Sequence, residues 1–228
     1  MKSTFGRVLV CLMVLAFSLT ALAASRDGVV LSKDSRRTIA TEPGKISQPY
    51  SDVKDNLTKN YDNLGTKYPD GVYWCCTGAT ISGPVSIIGE QIWEAAGFTA
   101  TTGTITKVKV AVGYVTGNFT DVIVSIAADS GSGTPGTVLK HWKQTLSTTN
   151  YFGTCCSLNS HMTSVSVTPG NQYWITVTTE SSSDIWAAWN FNDTLQLSSD
   201  AIPTAYNEGS GWFGYQGYPG FAFEVEGQ

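Results

Sequence analysis

Apolar and polar residues alternate strictly along much of the C-terminal part of the chain. Val108, Val110 and Val112 occupy every second position, and Lys107 and Lys109 take the positions between them. A period of two with one polar face predicts half-buried antiparallel strands. The pattern recurs at Val122, Val124 and Ile126, at Tyr173, Ile175 and Val177, and at Phe221, Phe223 and Val225.

Turn-forming residues separate these segments, and the polar side of each segment is predicted to face solvent. In the last segment the solvent-facing residues are Glu224 and Glu226. Glycine, asparagine and proline cluster between the segments, as they do in tight turns. The clusters are Thr116-Gly117-Asn118, 129–136, Pro169-Gly170-Asn171 and Gly209-Ser210-Gly211. Short strands at this spacing, with no helical period after Gly71, predict an all-β antiparallel β-sandwich of jelly-roll type.

The first residues have the pattern of a secretory signal peptide. Lys2 and Arg7 make the start basic, an apolar run spans 8–22, and the small residues Ala21 and Ala23 suit a cleavage site. The apolar run is shorter than the roughly 20 residues of a membrane span. Residues 1–23 are therefore predicted to be removed, and the mature protein to be secreted and extracellular without a membrane anchor.

Composition divides the rest of the chain near residue 70. Residues 24–70 are polar and free of tryptophan, which predicts a flexible lead segment with a short helix around 50–64. Residues 71–228 hold all seven tryptophans and suit one domain with one core. The net charge of the chain is −4. An acidic balance argues against nucleic acid or an anionic membrane as partner, because both bind clustered Lys and Arg.

Four of the five cysteines form two adjacent pairs, Cys75-Cys76 and Cys155-Cys156. In an oxidising compartment an even set of cysteines predicts disulfide bonds. Two facing strands would carry Cys75 against Cys156 and Cys76 against Cys155, because neighbouring strand residues point to opposite faces. Bonding within each adjacent pair is the alternative, so the connectivity stays open. A zinc site is disfavoured, because structural zinc sites separate paired cysteines by about two to four residues.

Several motifs carry a resemblance to a known type of domain. They are Asp62-Asn63-Leu64-Gly65, Tyr73-Trp74-Cys75-Cys76-Thr77-Gly78, Phe98-Thr99-Ala100, Phe152-Gly153-Thr154-Cys155-Cys156, Gln172-Tyr173-Trp174 and Trp186-Ala187-Ala188-Trp189-Asn190. They resemble a family of uncharacterised bacterial secreted proteins, similar to the choice-of-anchor type of extracellular domain. The resemblance covers about residues 62–228 and implies a β-sandwich in an extracellular setting, with no known activity. Release instead of anchoring is expected, since no sorting helix follows Glu226.

Motifs that carry chemistry are few. The sequence has no zinc-protease helix motif, nucleophile elbow, phosphate-binding glycine loop or full calcium loop. Glu90 and Glu94 form a candidate carboxylate pair for glycoside hydrolysis, but their surroundings favour solvent-facing positions in a strand or bend. His141 and His161 are expected on the surface or on edge strands. The 129–133 loop offers calcium a single carboxylate. No enzyme activity, cofactor or metal is predicted.

The candidate ligand-binding residues are aromatic. They are Trp186, Trp189, Trp212, Tyr215 and Tyr218, with Asn190, Asn192 and Gln216 as polar neighbours. Flat rings stack on sugar rings, while neighbouring polar groups hydrogen-bond the hydroxyls. The alternative is core packing. Trp186 and Trp189 point to opposite faces of a strand, so at least one of them is expected in the core.

Three functions remain open on the sequence. The first is a secreted non-catalytic module that binds an extracellular glycan or a surface protein through aromatic loops. The second is a structural or matrix-type secreted protein without a small-molecule site. The third is a hydrolase that uses Glu90 and Glu94. Exposure of Trp186, Trp212 and Tyr215 would favour the first, burial of all tryptophans the second, and two carboxyl groups about 5–9 Å apart in a cleft the third.

Overall fold

The computed structural model of the protein describes residues 29–31, 38–41, 57–64, 74–154, 157–192, 197–199 and 202–228. Its strands are β1 (Val29–Leu31), β2 (Thr38–Thr41), β3 (Thr58–Asp62), β4 (Trp74–Ser82), β5 (Trp93–Thr99), β6 (Thr104–Val110), β7 (Val112–Thr116), β8 (Asp121–Asp129), β9 (Pro135–Thr145), β10 (Asn159–Ser166), β11 (Gln172–Thr178), β12 (Trp186–Phe191), β13 (Thr204–Asn207), β14 (Phe213–Tyr215) and β15 (Phe223–Gly227). These described ranges contain no helix, and so none long and apolar enough to cross a membrane. The predicted all-β class is confirmed, whereas the predicted signal peptide lies outside the described residues.

The strands form three antiparallel sheets that share one core. Their orders are β1-β2-β4-β12-β7, β10-β6-β15-β3 and β14-β13-β5-β11-β8-β9. The first two sheets adjoin where β6 runs into β7. There the backbone of Ala111 exchanges hydrogen bonds with the backbones of Asn190 and Ala222. The main core draws buried residues from all three sheets, which makes the predicted antiparallel β-sandwich.

The alternating apolar positions fill this core as predicted. Val108 and Val110 of β6 meet Val122 and Val124 of β8, and Ile175 of β11 joins them in the same buried cluster. Each of these side chains is at most 1% exposed. The predicted turn clusters also lie between strands, where positive φ angles favour glycine. Examples are Gly117 between β7 and β8 and Gly170 between β10 and β11.

The charged positions of β6 and β15 are a correction to the sequence-based expectation. They point away from the core, but Lys109, Glu224 and Glu226 are only 2%, 2% and 5% exposed. Strand register explains why they find partners, since Glu224 lies opposite Lys109, and Glu226 opposite Lys107. We call the resulting network of ion pairs the charge ladder. Its members are Lys59, Asp62, Lys107, Lys109, Glu224 and Glu226.

Three described parts of the predicted lead segment belong to the sheets. β1 pairs with β2, β2 pairs with β4, and β3 pairs with β15. In β3 the side chain of Asn60 is buried and accepts hydrogen bonds from the backbone N–H groups of Thr101 and Thr102 at 2.7 and 2.9 Å. The helix expected around 50–64 is therefore wrong over Thr58–Asp62. Polar composition suggested a flexible lead segment, but the strand is held by the buried Asn60 amide and by Tyr61, whose ring stacks on Phe223 with centroids 4.4 Å apart.

Candidate functional site

The hairpin of β13 and β14 forms one edge of the six-stranded sheet. Its strands pair Thr204 with Tyr215 and Tyr206 with Phe213. Asn207 ends β13, and its side-chain oxygen accepts a hydrogen bond from the N–H of Gly209 at 2.7 Å. This side-chain turn, followed by glycines at positive φ, lets the chain reverse within a few residues. The predicted turn at 209–211 is thereby confirmed.

Four rings gather at this hairpin, and we call them the aromatic cluster: Tyr206, Phe213, Tyr215 and Tyr218. The ring centroids of Tyr206 and Phe213 are 5.7 Å apart, and those of Tyr206 and Tyr215 are 5.6 Å apart. Tyr218 meets Tyr215 edge-on at 5.2 Å. Phe213 and Tyr218 are 47% and 44% exposed, whereas Tyr206 and Tyr215 are half-buried. The cluster therefore presents two rings to solvent and holds them on two supported rings.

A buried carboxylate anchors the cluster. Glu94 on β5 is 1% exposed, and the Tyr215 hydroxyl donates to its Oε2 atom at 3.1 Å. Burial, together with the neighbouring Glu94 carboxylate, raises the pKa of Tyr215 well above its usual value. The phenol is therefore held protonated as the donor of this bond. The expectation that Glu94 faces solvent is wrong, because its position on β5 points it toward the core side, as for Ala96.

A cavity of about 520 Å³ opens between this hairpin and the loop that joins β8 to β9. We call it the hairpin cavity. Its lining is Ser132, Gly133, Gln172, Pro203, Thr204, Gly214, Tyr215 and Gln216. None of these side chains carries a charge at neutral pH, and Tyr215 belongs to both the cavity and the aromatic cluster. Sequence patterns suggested Gln216 and Tyr215, but missed Gln172 and Tyr206, which lie far from them along the chain.

Asp129 fixes the loop on the other side of the cavity. One carboxylate oxygen accepts the N–H of Gly131 at 2.7 Å, and the other accepts the indole N–H of Trp174 at 2.8 Å. The carboxylate thus shapes a glycine-rich turn and satisfies a buried indole. Among the described residues, no group of three or more His, Cys, Asp or Glu side chains is placed to hold a metal ion.

The predicted ligand-binding residues separate into two groups. Tyr215 and Tyr218 lie in the aromatic cluster, and Trp212 lies beside it at the end of the hairpin loop. Trp212 is half-buried and packs with Trp174, Ala95 and other residues on the outer face of the six-stranded sheet. These three residues remain candidates for a surface site.

Trp186 and Trp189 are removed from the candidate set. They point to opposite faces of β12 as predicted, yet both are buried, at 5% and 0% exposure. Trp189 lies in the main core and donates its indole N–H to the Ala222 carbonyl at 3.0 Å. Trp186 packs in a second cluster with Phe152. The backbone of Phe152 passes close to Gly113, since a Cβ added at Gly113 would lie 2.9 Å from the Phe152 Cα atom. Alternation shows which face a residue takes, but not that both faces are covered.

The polar neighbours of those tryptophans are structural too. Asn190 and Asn192 are each 1% exposed, and Asn192 donates to the Gly220 carbonyl at 2.6 Å. Neither side chain is available to a ligand at the surface. Gln216, the third predicted neighbour, is exposed and lines the hairpin cavity.

The two histidines lie on edge strands, as expected. His141 on β9 is exposed, and His161 on β10 is half-buried. The His161 ring stacks on Trp142 with centroids 4.3 Å apart and planes 8° apart. Burial and the nearby Lys140 charge lower the pKa of His161. The contact joins β10 to β9, and so closes one side of the sandwich.

Two further predictions have different outcomes. The side chains of Cys75, Cys76, Cys155 and Cys156 lie outside the described residues, so the disulfide bonds stay a prediction. Glu90, which was expected to face solvent in a strand or bend, lies half-buried in a bend before β5. Its backbone carbonyl accepts a hydrogen bond from the Ser82 hydroxyl at 2.7 Å.

No protein-family model matches the chain, and no curated protein has a significantly similar sequence. Function is therefore inferred from the geometry and sequence of this chain.

Proposed function

We propose that the protein is a secreted, non-catalytic extracellular module that binds carbohydrate through the aromatic cluster. The observation that carries the proposal is the pair of exposed rings, Phe213 and Tyr218, at the edge of the six-stranded sheet. Large apolar side chains of this kind are usually buried, so a supported group of them at the surface suggests a ligand.

The chemistry of the cluster suits a sugar. Aromatic faces lose water when they stack on the C–H face of a pyranose, and polar tips fix the ligand's orientation. Tyr218 supplies such a tip with its hydroxyl, and Gln216 adds an amide two residues away. The hydrogen bond from Tyr215 to Glu94 holds the supporting ring in one position, which lowers the entropy lost on binding.

Export is the second part of the proposal. It is supported by the basic start and apolar run of the first 23 residues. Intact mass measurement of protein from the culture medium tests it. Cleavage near Ala23 and a mass unchanged by alkylation without reductant are expected, and an uncleaved, cell-associated chain would contradict it.

A polysaccharide pull-down with matched aromatic variants tests carbohydrate binding. We expect Phe213→Ala and Tyr218→Ala to lose most binding to a polymer that the wild type retains, because each variant removes a stacking ring. Phe119→Ala and Tyr151→Ala are the controls, since Phe119 and Tyr151 are similarly exposed, at 45% and 39%, but lie outside the cluster. Equal binding by all four variants would exclude the cluster as the site.

A structural or matrix-type role is the second candidate. It is favoured by the tryptophans, because Trp142, Trp174, Trp186 and Trp189 are all buried and Trp93 and Trp212 are half-buried. This protein would have a stable sandwich and no small-molecule site. Absence of binding by the folded wild type across a broad panel of polysaccharides would favour this role over the first.

A further inference from the structure

The hairpin cavity is a second feature of the same sheet edge, distinct from the exposed rings. At about 520 Å³ it falls within the roughly 300–1,000 Å³ typical of small-molecule sites. Its two walls are the β13–β14 hairpin and the loop between β8 and β9. Glycines bring those walls close, since a Cβ added at Gly214 would lie 3.3 Å from the carbonyl oxygen of Gly133. Any side chain at position 214 would therefore take up space between the walls.

The lining offers hydrogen bonds without charge. Gln172 is half-buried on β11, and Ser132 is exposed at the opposite wall. The Thr204 hydroxyl donates to the Tyr215 carbonyl at 3.0 Å, and the Ser132 hydroxyl lies 2.8 Å from that of Ser130. The Gln172 amide has two donors and an acceptor, so it keeps hydrogen-bonding capacity for a ligand. Amide and hydroxyl groups both donate and accept, so they match the hydroxyl groups of a sugar or another polyol.

A fixed negative charge lies one hydrogen bond behind this lining. The Gln172 amide donates to Oδ1 of Asp129 at 3.4 Å. No lysine or arginine lines the cavity to offset that charge. An anionic ligand would therefore meet repulsion and no cationic partner, whereas a neutral one would not. A purely apolar ligand would cover the Gln172 amide without pairing its remaining donor and its acceptor, which costs binding free energy.

We propose that the hairpin cavity is a subsite for one or two neutral sugar residues of the glycan that the aromatic cluster binds. This inference rests on the proposed function and deepens it. The cluster supplies stacking area, and the cavity supplies hydrogen bonds that select uncharged sugars. The rings of the cluster and the Gln172 wall of the cavity lie on opposite faces of the sheet, but β14 is its edge strand, so a glycan chain that crosses this edge can reach both.

The test compares wild-type protein with variants that change the cavity but not the exposed rings. Gln172→Leu removes the amide, and Gly214→Leu fills the space. Gln144→Leu is the matched control, because Gln144 is also a half-buried glutamine on a strand of the six-stranded sheet and does not line the cavity. Thermal unfolding first shows that each variant is folded. Binding is then measured by calorimetry to neutral polymers (β-glucan, mannan, chitin oligomers) and acidic ones (pectate, alginate, hyaluronan).

We expect Gln172→Leu to weaken binding of a neutral glycan by roughly 5- to 10-fold, as for the loss of one or two ligand hydrogen bonds. Gly214→Leu should weaken it at least as much, Gln144→Leu should leave it unchanged, and acidic polymers should bind poorly. Loss of binding in Tyr218→Ala without loss in either cavity variant would overturn the subsite but leave the proposed function standing. Preference for an acidic polymer would overturn the claim of neutrality, and no binding by the wild type would overturn both proposals.

Discussion

The charge ladder and the aromatic cluster invert the usual distribution of residues in opposite ways. On the outer face of the four-stranded sheet, Lys109 and Glu224 are each 2% exposed. At the edge of the six-stranded sheet, Phe213 and Tyr218 are 47% and 44% exposed. Charged groups are buried in the first region, and large rings are exposed in the second.

The two regions differ in what completes them. In the charge ladder every buried charge has an ionic partner in the chain, for example Lys109 with Glu224 at 2.6 Å and with Glu226 at 3.1 Å. Three lysines meet three carboxylates, so the network is close to neutral as a whole. In the aromatic cluster the outermost rings, Phe213 and Tyr218, remain 47% and 44% exposed. A region completed by its own chain is structural, while a region left half-covered has room for a ligand.

The largest effect that tests this comparison is expected from Lys109→Met. Removing the lysine takes away the buried cation that Glu224 and Glu226 share and leaves them with the exposed Lys59 and the more distant Lys107. Removing one partner of a buried ion pair costs about 3–5 kcal/mol of unfolding free energy. Chemical denaturation measures the change. The control is Lys143→Met, which breaks a pair of similar length, 2.8 Å to Glu180, whose side chains are 54% and 46% exposed. That loss should be much smaller, because water screens an exposed ion pair.

Replacing both partners should cost less than replacing one. Lys109→Met combined with Glu224→Met removes two buried charges together, and such replacements are often close to neutral. A double variant as unstable as the single variant would show that the ladder stabilises through packing instead of through pairing.

The ladder also shows where sequence reasoning reaches its limit. Alternation placed Lys107, Lys109, Glu224 and Glu226 on the face away from the core, and that was correct. It equated that face with solvent, which was wrong, because pairing of β6, β15 and β3 sets three charged strands side by side. Sequence patterns report the direction of a side chain along one strand. Whether other parts of the chain cover that side chain depends on long-range contacts, and local alternation carries no information about them.

The same limit of sequence reasoning applies to the candidate site. Glycines at 209–211 and the nearby rings made the β13–β14 hairpin visible in the sequence. Gln172 and Glu94 were not visible as parts of the site, because β11 and β5 reach it only through sheet pairing. Trp186 was an attractive candidate by residue type, but the loop that carries Phe152 covers it.

Acid should destabilise the ladder through Glu224. Burial alone would raise its pKa, but hydrogen bonds from Glu226, Lys109 and Lys59 lower it to about 2. A carboxyl group whose pKa is lowered on folding contributes stability above its unfolded value of 4.5, and that contribution is lost as the pH falls toward 2.

Thermal unfolding of the wild type and of Glu224→Gln between pH 5 and about 2 measures this contribution. The gap in melting temperature between the two proteins should shrink as the pH falls. Glu226 acts in the opposite sense, since burial and its contact with Glu224 raise its pKa, so its contribution is lost as the pH rises. A gap that stays constant down to pH 2 would contradict the assignment.

A smaller effect is expected at the base of the aromatic cluster. Tyr215→Phe keeps the ring but removes the hydroxyl that donates to the buried Glu94, which should cost about 1–3 kcal/mol of unfolding free energy. Tyr218→Phe is the control, because Tyr218 is 44% exposed, and less than about 0.5 kcal/mol is expected there. Equal losses in the two variants would mean that Glu94 does not anchor the cluster.

The smallest effect on stability is expected at the exposed rings themselves. Phe213→Ala removes a ring that packs on Tyr206 from one side, so the unfolding free energy should fall by about 1 kcal/mol or less. The same substitution at Phe223, which is 1% exposed in the core, should cost about 3–5 kcal/mol. The difference matters because a ring that contributes little to folding has no structural reason to be large and apolar at the surface. If Phe213→Ala proved as destabilising as Phe223→Ala, the cluster would be part of the core, and the contrast with the charge ladder would disappear.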